Sequence, residues 1–300
     1  MKKTLVIGAG NVGAHVVSCG VAKGVKSEFY LLDVNESLGK SQVLDLKDTL
    51  LFADNAVVDA ITFDDYRIAE MDVIVITAGA NQLPGETRVD LLDKNTKMLK
   101  DIAERLGVLK PSAVVILVAN PVDIITKVAR EVFDLPAAQV FGTGTLLDTA
   151  RLRWRMSERL GINIRNVHGC VLGEHGDSQL VAWSLVSGGD KLNADEKTEI
   201  EKSVSREAYE IIEGKGATYF GIGAATIKIV DAVLYDTNEI FPISTDYPYF
   251  ENEALRDTPI GVLASVGADG VGDIGELRIT EEELEKLSDS AEKLYSLYQG

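Results

Sequence analysis

The stretch LVIGAGNVGAHV, residues 5–16, constrains this chain more than any other. Apolar β-formers run directly onto Gly8, Gly10 and Gly13 in G-x-G-x-x-G spacing, and a helical pattern follows. A strand, a tight glycine turn and a helix in that order open a βαβ unit, whose next strand must lie parallel to the first. The chain then alternates in the same way through its first half. Strands are predicted at TLVIG (4–8), EFYLLD (28–33), AVVDAI (56–61), DVIVITA (72–78) and AVVILVAN (113–120), with helices over 11–23, 36–51, 88–107 and 122–133. The near-continuous Val/Ile/Leu content of the last two strands suits burial on both faces. A parallel sheet wrapped by helices is the expected outcome: an α/β fold of the doubly wound, Rossmann type.

After FDLPAAQVFGTGT the character shifts. The pattern predicts a helix over 146–160, a strand at NVHGCVLG (166–173), two long helices over 194–213 and 218–235, strands near 239–243 and 260–266, and a charged helix from Thr280. Thr280 and Glu283 have capping-box spacing. The chain of 300 residues is thus expected to divide into residues 1–142 and an α+β unit, 143–300, closely packed against each other.

The glycine turn suits a dinucleotide. Glycines let the backbone approach a pyrophosphate, and the helix N-terminus supplies N–H groups and partial positive charge. Asp33, twenty residues past Gly13 at the end of the second strand, stands where a carboxylate accepts hydrogen bonds from an adenosine ribose. It would repel a 2′-phosphate, which favours NAD over NADP. A formal net charge of −17 argues against nucleic acid or an anionic membrane as partner. The two cysteines, Cys19 and Cys170, lack metal-ligand spacing and read as buried free thiols. No apolar run is long enough to cross a bilayer, so a cytoplasmic protein is expected.

Only three histidines occur, and His175 sits in VLGEHGDSQ between two glycines. An imidazole there is a core residue, a metal ligand or a proton-transfer group. The flanking glycines disfavour the first, and the absence of any metal-ligand spacing the second. His15, inside the first helix, reads as structural.

Three further segments carry chemistry-bearing residues: TAGANQLPGETR (77–88), VANPVD (118–123) and GTGTLLDTAR (142–151), where Asp148 and Arg151 share a helical face. With GAGNVG and GEHGDS, in this order, they resemble the L-lactate and malate dehydrogenase family. The resemblance runs from Gly8 to about Ile229 and more weakly beyond. It implies that His175 exchanges the proton and is hydrogen-bonded by Asp148. It further implies that Arg151 holds the substrate carboxylate, and that Arg88 and Asn120 polarise the reacting carbonyl. Thr218 would line the pocket. Cofactor contacts are implied at Gly8, Gly10, Asn11, Val12, Gly13, Asp33, Ala78, Gly79 and Asn120.

These assignments suit the chemistry. Reducing a 2-oxo acid puts negative charge on the former carbonyl oxygen, which needs a proton and a fixed cation beside it. The arginine fork can grip a carboxylate with two parallel hydrogen bonds.

In this family the residue after TAGAN discriminates substrates. Malate enzymes carry arginine there, to pair a second carboxylate, and here it is Gln82. The implied activity is NAD-dependent L-lactate dehydrogenase, with a branched-chain L-2-hydroxy acid enzyme, then malate dehydrogenase, as alternatives. Leu83 departs from the polar residue expected, and Gly221 is expected to leave room beside Thr218 for larger substrates. Arg153 and His168 match the positions through which allosteric bacterial members bind fructose 1,6-bisphosphate across a subunit interface, and the resemblance implies a homo-oligomer, dimer or tetramer. The segment Ser184 to Lys215 is shorter than is usual in the family.

Overall fold

A computed structural model describes residues 1–54, 57–80 and 88–299, with the backbone alone at 88–90 and 299. The first half gives β1 (Lys2–Ile7), α1 (Asn11–Ala22), β2 (Ser27–Leu32), α2 (Glu36–Asp48), β3 (Val57–Ile61), β4 (Val73–Ile76), α3 (Arg88–Leu106), β5 (Val114–Leu117), α4 (Val122–Val132) and β6 (Val140–Gly142). The second half gives α5 (Leu146–Leu160), β7 (Val171–Leu172), β8 (Leu180–Val181), α6 (Ala194–Lys215), α7 (Phe220–Tyr235), β9 (Glu239–Thr245), β10 (Ile260–Gly267), β11 (Gly270–Val271) and α8 (Glu281–Gln299).

The main sheet runs β11-β10-β9-β6-β5-β4-β1-β2-β3. Its six strands from the first half are parallel, in the order of a doubly wound sheet whose direction of winding reverses between β1 and β4. β9 then joins β6 antiparallel through Gly142 and Ser244, and β10 and β11 continue beyond it. One sheet therefore runs through the junction near residue 142. β4 and β5 are buried along their whole length, as their unbroken apolar runs require.

Two segments differ from the sequence pattern. The strand expected over 166–173 shrinks to Val171–Leu172, because Gly169 and Gly173 take φ of 134° and 88° and end the extended run on both sides. β6, three buried residues between Gln139 and Thr143, is too short to show any periodicity.

Helix ends follow local chemistry. Asn35 accepts the Leu38 N–H at the start of α2, and Asn193 with Glu196 forms a reciprocal capping box on α6. Thr280 and Glu283 do the same for α8. The Glu283 carboxylate also accepts the Ser184 N–H and hydroxyl, which ties α8 to the segment after β8. α1 and α7 cross closely: a Cβ on Gly20 would lie 3.0 Å from Ile227 Cδ1, and one on Gly223 2.6 Å from His15 Cδ2. His15 thus packs at this crossing, edge-on to Tyr219 and Phe220. Both cysteines are free, and burial pushes the Cys170 thiol up to about 12.

Candidate active site

The glycine turn after β1 is built for close approach. A Cβ on Gly13 would overlap the Gly8 carbonyl oxygen, and one on Gly8, where φ is 102°, would lie 2.7 Å from the Ala78 nitrogen. At Gly10 an added Cβ would meet nothing within 4 Å, so the turn opens outward there, at the N-cap of α1. The N–H groups of Asn11 and Val12, in the first turn of α1, have no intrahelical acceptor. Asp33, just past β2, accepts the Ala9 N–H at 2.7 Å on one carboxylate oxygen and the Asn35 N–H at 2.8 Å on the other. Its remaining lone pairs are left to a ligand. An exposed anion-receptive turn with a fixed carboxylate beside it fits a dinucleotide's pyrophosphate and ribose.

Across the sheet ends, Ala78 and Gly79 follow β4 and Asn120 follows β5. Asn95, a buried residue of α3, joins the two segments. Its Oδ1 accepts the Ala80 N–H at 2.7 Å, and its Nδ2 donates to the Asn120 carbonyl at 2.6 Å.

His175 sits four residues beyond the start of β7 on a segment held from three sides. Gly173 exchanges backbone hydrogen bonds with Gly261 of β10, the Glu174 N–H donates to Ser290 Oγ of α8, and the His175 N–H donates to Asp123 Oδ2 of α4 at 2.8 Å. α5 is locked beside it, since Thr145 and Thr149 use their hydroxyls to satisfy the Val171 carbonyl and N–H. That lock puts Asp148 Oδ2 2.6 Å from His175 Nδ1. Asp148 Oδ1 meanwhile accepts from Arg151 Nη1 at 2.9 Å. Asp148 and Arg151 are 2 % and 4 % exposed, whereas the His175 side chain keeps 24 %, so the imidazole is the member of the trio that reaches solvent.

The charges are mutually dependent. The Asp148 carboxylate raises the His175 pKa against the opposing effect of burial. Burial pushes the Asp148 carboxyl up, yet the His175 imidazole and the Arg151 guanidinium outweigh it and hold it below the usual carboxylate value. At Asp123 burial outweighs the lowering by the Ser244 hydroxyl, the His175 N–H and the His175 charge, and pushes it up to about 6. A histidine poised by a carboxylate, beside a buried arginine and across the sheet ends from a dinucleotide turn, can deliver a proton to an anionic carbonyl substrate.

Residues 2–142 match the model of the lactate/malate dehydrogenase NAD binding domain, and residues 145–298 match that of the lactate/malate dehydrogenase alpha/beta C-terminal domain. The chain belongs to the lactate/malate dehydrogenase family. Similar relatives include L-lactate dehydrogenase 1 of Clostridium acetobutylicum, 38% identical over 97% of this chain and 96% of that one. L-lactate dehydrogenase of Thermoanaerobacter pseudethanolicus is 36% identical over 100% and 99%. Among solved structures, a lactate dehydrogenase from a Medee basin deep-sea metagenome library superposes with a TM-score of 0.92 at 34% identity, covering 99% of this chain and 98% of that one. The minor L-lactate dehydrogenase of Enterococcus mundtii, in a ligands-bound form, gives 0.91 at 33%, with the same coverage.

Within this dehydrogenase fold the remaining expected residues fall as follows. Gln82 and Leu83 lie outside the described residues, and Arg88 is described only as the first backbone residue of α3. Thr218 lies partly buried in the turn between α6 and α7. Gly221 does not simply leave room beside it: a Cβ there would come within 2.7 Å of Leu147 Cδ1, so its small size serves the packing of α7 on α5. Arg153 donates from Nε to the Gly169 carbonyl, next in the chain to the exposed His168. Among the described residues no helix is long and apolar enough to cross a membrane.

Among the residues that sequence reasoning did not single out, Asn95 and Asp123 make the hydrogen bonds described above, and Glu207 of α6 stands 3.4 Å from Arg151 Nε. Asp123 carried a signal, since a carboxylate on the buried face of α4, inside VANPVD, needs a partner. Asn95 and Glu207 lie on helices with many polar residues and carried none.

Proposed function

We propose that this chain is an NAD-dependent L-lactate dehydrogenase that reduces pyruvate to L-lactate. The observation that carries this reading is the buried Asp148 shared between His175 Nδ1 and Arg151 Nη1. When bound, the cofactor supplies or accepts the hydride at its nicotinamide ring. His175 donates the proton to the former carbonyl oxygen from Nε2, because Asp148 engages Nδ1 and so fixes the ring. Arg151 grips the substrate carboxylate, and Arg88 and Asn120 polarise the carbonyl. Gly8, Gly10, Gly13, Asn11 and Val12 receive the pyrophosphate, Asp33 the ribose, and Ala78, Gly79 and Asn120 the nicotinamide side. Thr218 lines the pocket.

Gln82 favours a monocarboxylate, since a second substrate carboxylate would find no charge partner there. The deciding experiment follows NADH oxidation with pyruvate, oxaloacetate and 2-oxoisocaproate in parallel. Preference for pyruvate is expected, and Gln82→Arg should shift preference toward oxaloacetate. An unchanged ratio between those two substrates would sink the role given to Gln82, and preference for 2-oxoisocaproate would make this the branched-chain enzyme.

On the same reading the enzyme is a cytoplasmic homo-oligomer, with residues 1–142 as the cofactor unit and 143–300 as the substrate unit. It takes fructose 1,6-bisphosphate at Arg153 and His168, which are adjacent through Gly169. Adding the sugar bisphosphate should raise activity or oligomer size, and no change in either would end that part of the reading.

A further inference from the structure

The ion pairs at the site do not stop at Arg151. Glu207 of α6 places Oε1 3.4 Å from Arg151 Nε, and its Oε2 accepts from Arg155 Nη2 at 2.8 Å. Arg155 is fixed in turn by the Ser203 carbonyl at 3.1 Å and lies over the Trp154 ring, 4.3 Å from its centroid. His175, Asp148, Arg151, Glu207 and Arg155 therefore form one row of alternating charge that crosses from β7 through α5 to α6. Glu207 is 18 % exposed and Arg155 20 %, so the row lies mostly out of water.

We propose that Glu207 is a positioning residue for substrate, holding the Arg151 guanidinium so that its free N–H groups meet the substrate carboxylate. The inference rests on the reading of Arg151 given above. Asp148 takes Nη1 and Glu207 stands at Nε, which restrains the guanidinium at two of its three nitrogens. Nη2 makes no hydrogen bond among the described residues, and on the proposed reading it is the group that meets the substrate carboxylate. The contact at Nε is an ion pair outside hydrogen-bond geometry, since that N–H has no aligned acceptor among the described residues. It therefore limits where the guanidinium can swing without occupying the groups that grip substrate. Arg155 supplies the rigidity, because a Glu207 without it could follow Arg151 rather than hold it. The row also anchors α6 onto α5.

A positioning role and a purely electrostatic one predict opposite signs. Removing a negative charge beside Arg151 would by itself strengthen its pull on an anion and lower KM. Losing its alignment raises KM. The test is steady-state kinetics of the full chain with saturating NADH and varied pyruvate. Glu207→Ala is expected to raise KM roughly tenfold with kcat within about twofold and NADH affinity unchanged. Glu207→Gln, of the same length, should return KM to within about threefold of the parent. A KM for the alanine variant that is unchanged or lowered, a loss confined to kcat, or a glutamine variant no better than alanine would overturn the proposal. Arg151→Gln is measured alongside: if it leaves the pyruvate KM unchanged, the role given to Arg151 fails, and that failure is read separately from the comparison of the two Glu207 variants.

Discussion

The glycine turn after β1 and the cluster around His175 are built from different materials. The turn is backbone: Gly8 and Gly13 have no room for a Cβ, Gly10 opens outward, and ten or so consecutive residues contain nearly all of it. The His175 cluster is side chain, and its members come from α4, α5, α6 and the segment after β7. A steric site tolerates charge changes but no added atom. A site made of coupled charges tolerates shape changes better than the loss of one member.

Mutations can separate the two. The largest effect is expected at His175: glutamine there should cost roughly 10²–10⁴-fold in kcat while NADH affinity, read by fluorescence titration, stays unchanged. A parallel loss of NADH binding would show that the two regions are not separable.

Asp148→Asn should come next, with a loss of roughly 10²-fold at neutral pH. It should also shift the pH profile. With the role proposed for His175, pyruvate reduction needs its protonated form, so the rate should fall as pH rises through the His175 pKa. Asp148 raises that pKa, whereas burial lowers it. In the variant the fall should therefore move to lower pH, and single-turnover rates against pH would show it. The linked stability has the same sign. The contribution of His175 is present below its unfolded value and is lost as pH rises through the raised folded one.

Gly13→Ala attacks the other region. Its Cβ has no space against the Gly8 carbonyl, so a cost of ~1–3 kcal/mol in denaturant unfolding is expected, together with weakened NADH binding. Proton transfer from bound substrate should remain intact once NADH is saturating.

At Asp123 the effect is expected in stability alone. Its Oδ2 holds the His175 N–H, and the Ser244 hydroxyl beside it lowers its pKa without outweighing burial. Its folded pKa, about 6, lies above its ordinary value, so the native state favours the protonated form. That advantage is present at low pH and is lost as pH rises through about 6. Asparagine keeps an acceptor for the His175 N–H and carries no charge. The stability of Asp123→Asn relative to the parent should therefore grow between pH 4 and 7, by at most about 3 kcal/mol, as read from urea unfolding at each pH.

The same contrast explains what was legible in the sequence. The parallel half was readable because strand, glycine turn and helix each leave a local pattern, and α5 begins and ends where its periodicity indicates. The strand expected across 166–173 was misjudged because apolar content does not reveal that Gly169 and Gly173 adopt positive φ. His175, Asp148 and Arg151 were singled out through motifs, and the structure brings their side chains together. Their convergence depends on Thr145 and Thr149 satisfying Val171, which spacing does not encode. Glu207 was invisible for the same reason: among the many acidic residues of α6, only packing against α5 sets it apart.

The single sheet that joins both halves also governs the order in which the chain can become safe from aggregation. β6 gains its outer neighbour only when Glu239–Thr245 has been synthesised, because Gly142 pairs with Ser244. Until then the outer edge of β6 at Gly142 lacks its antiparallel partner, and an unpaired strand edge is a site where a second chain can add. A truncated first half would keep that edge permanently. The late strand β9 thus acts as a cap on the early sheet as well as part of the later one.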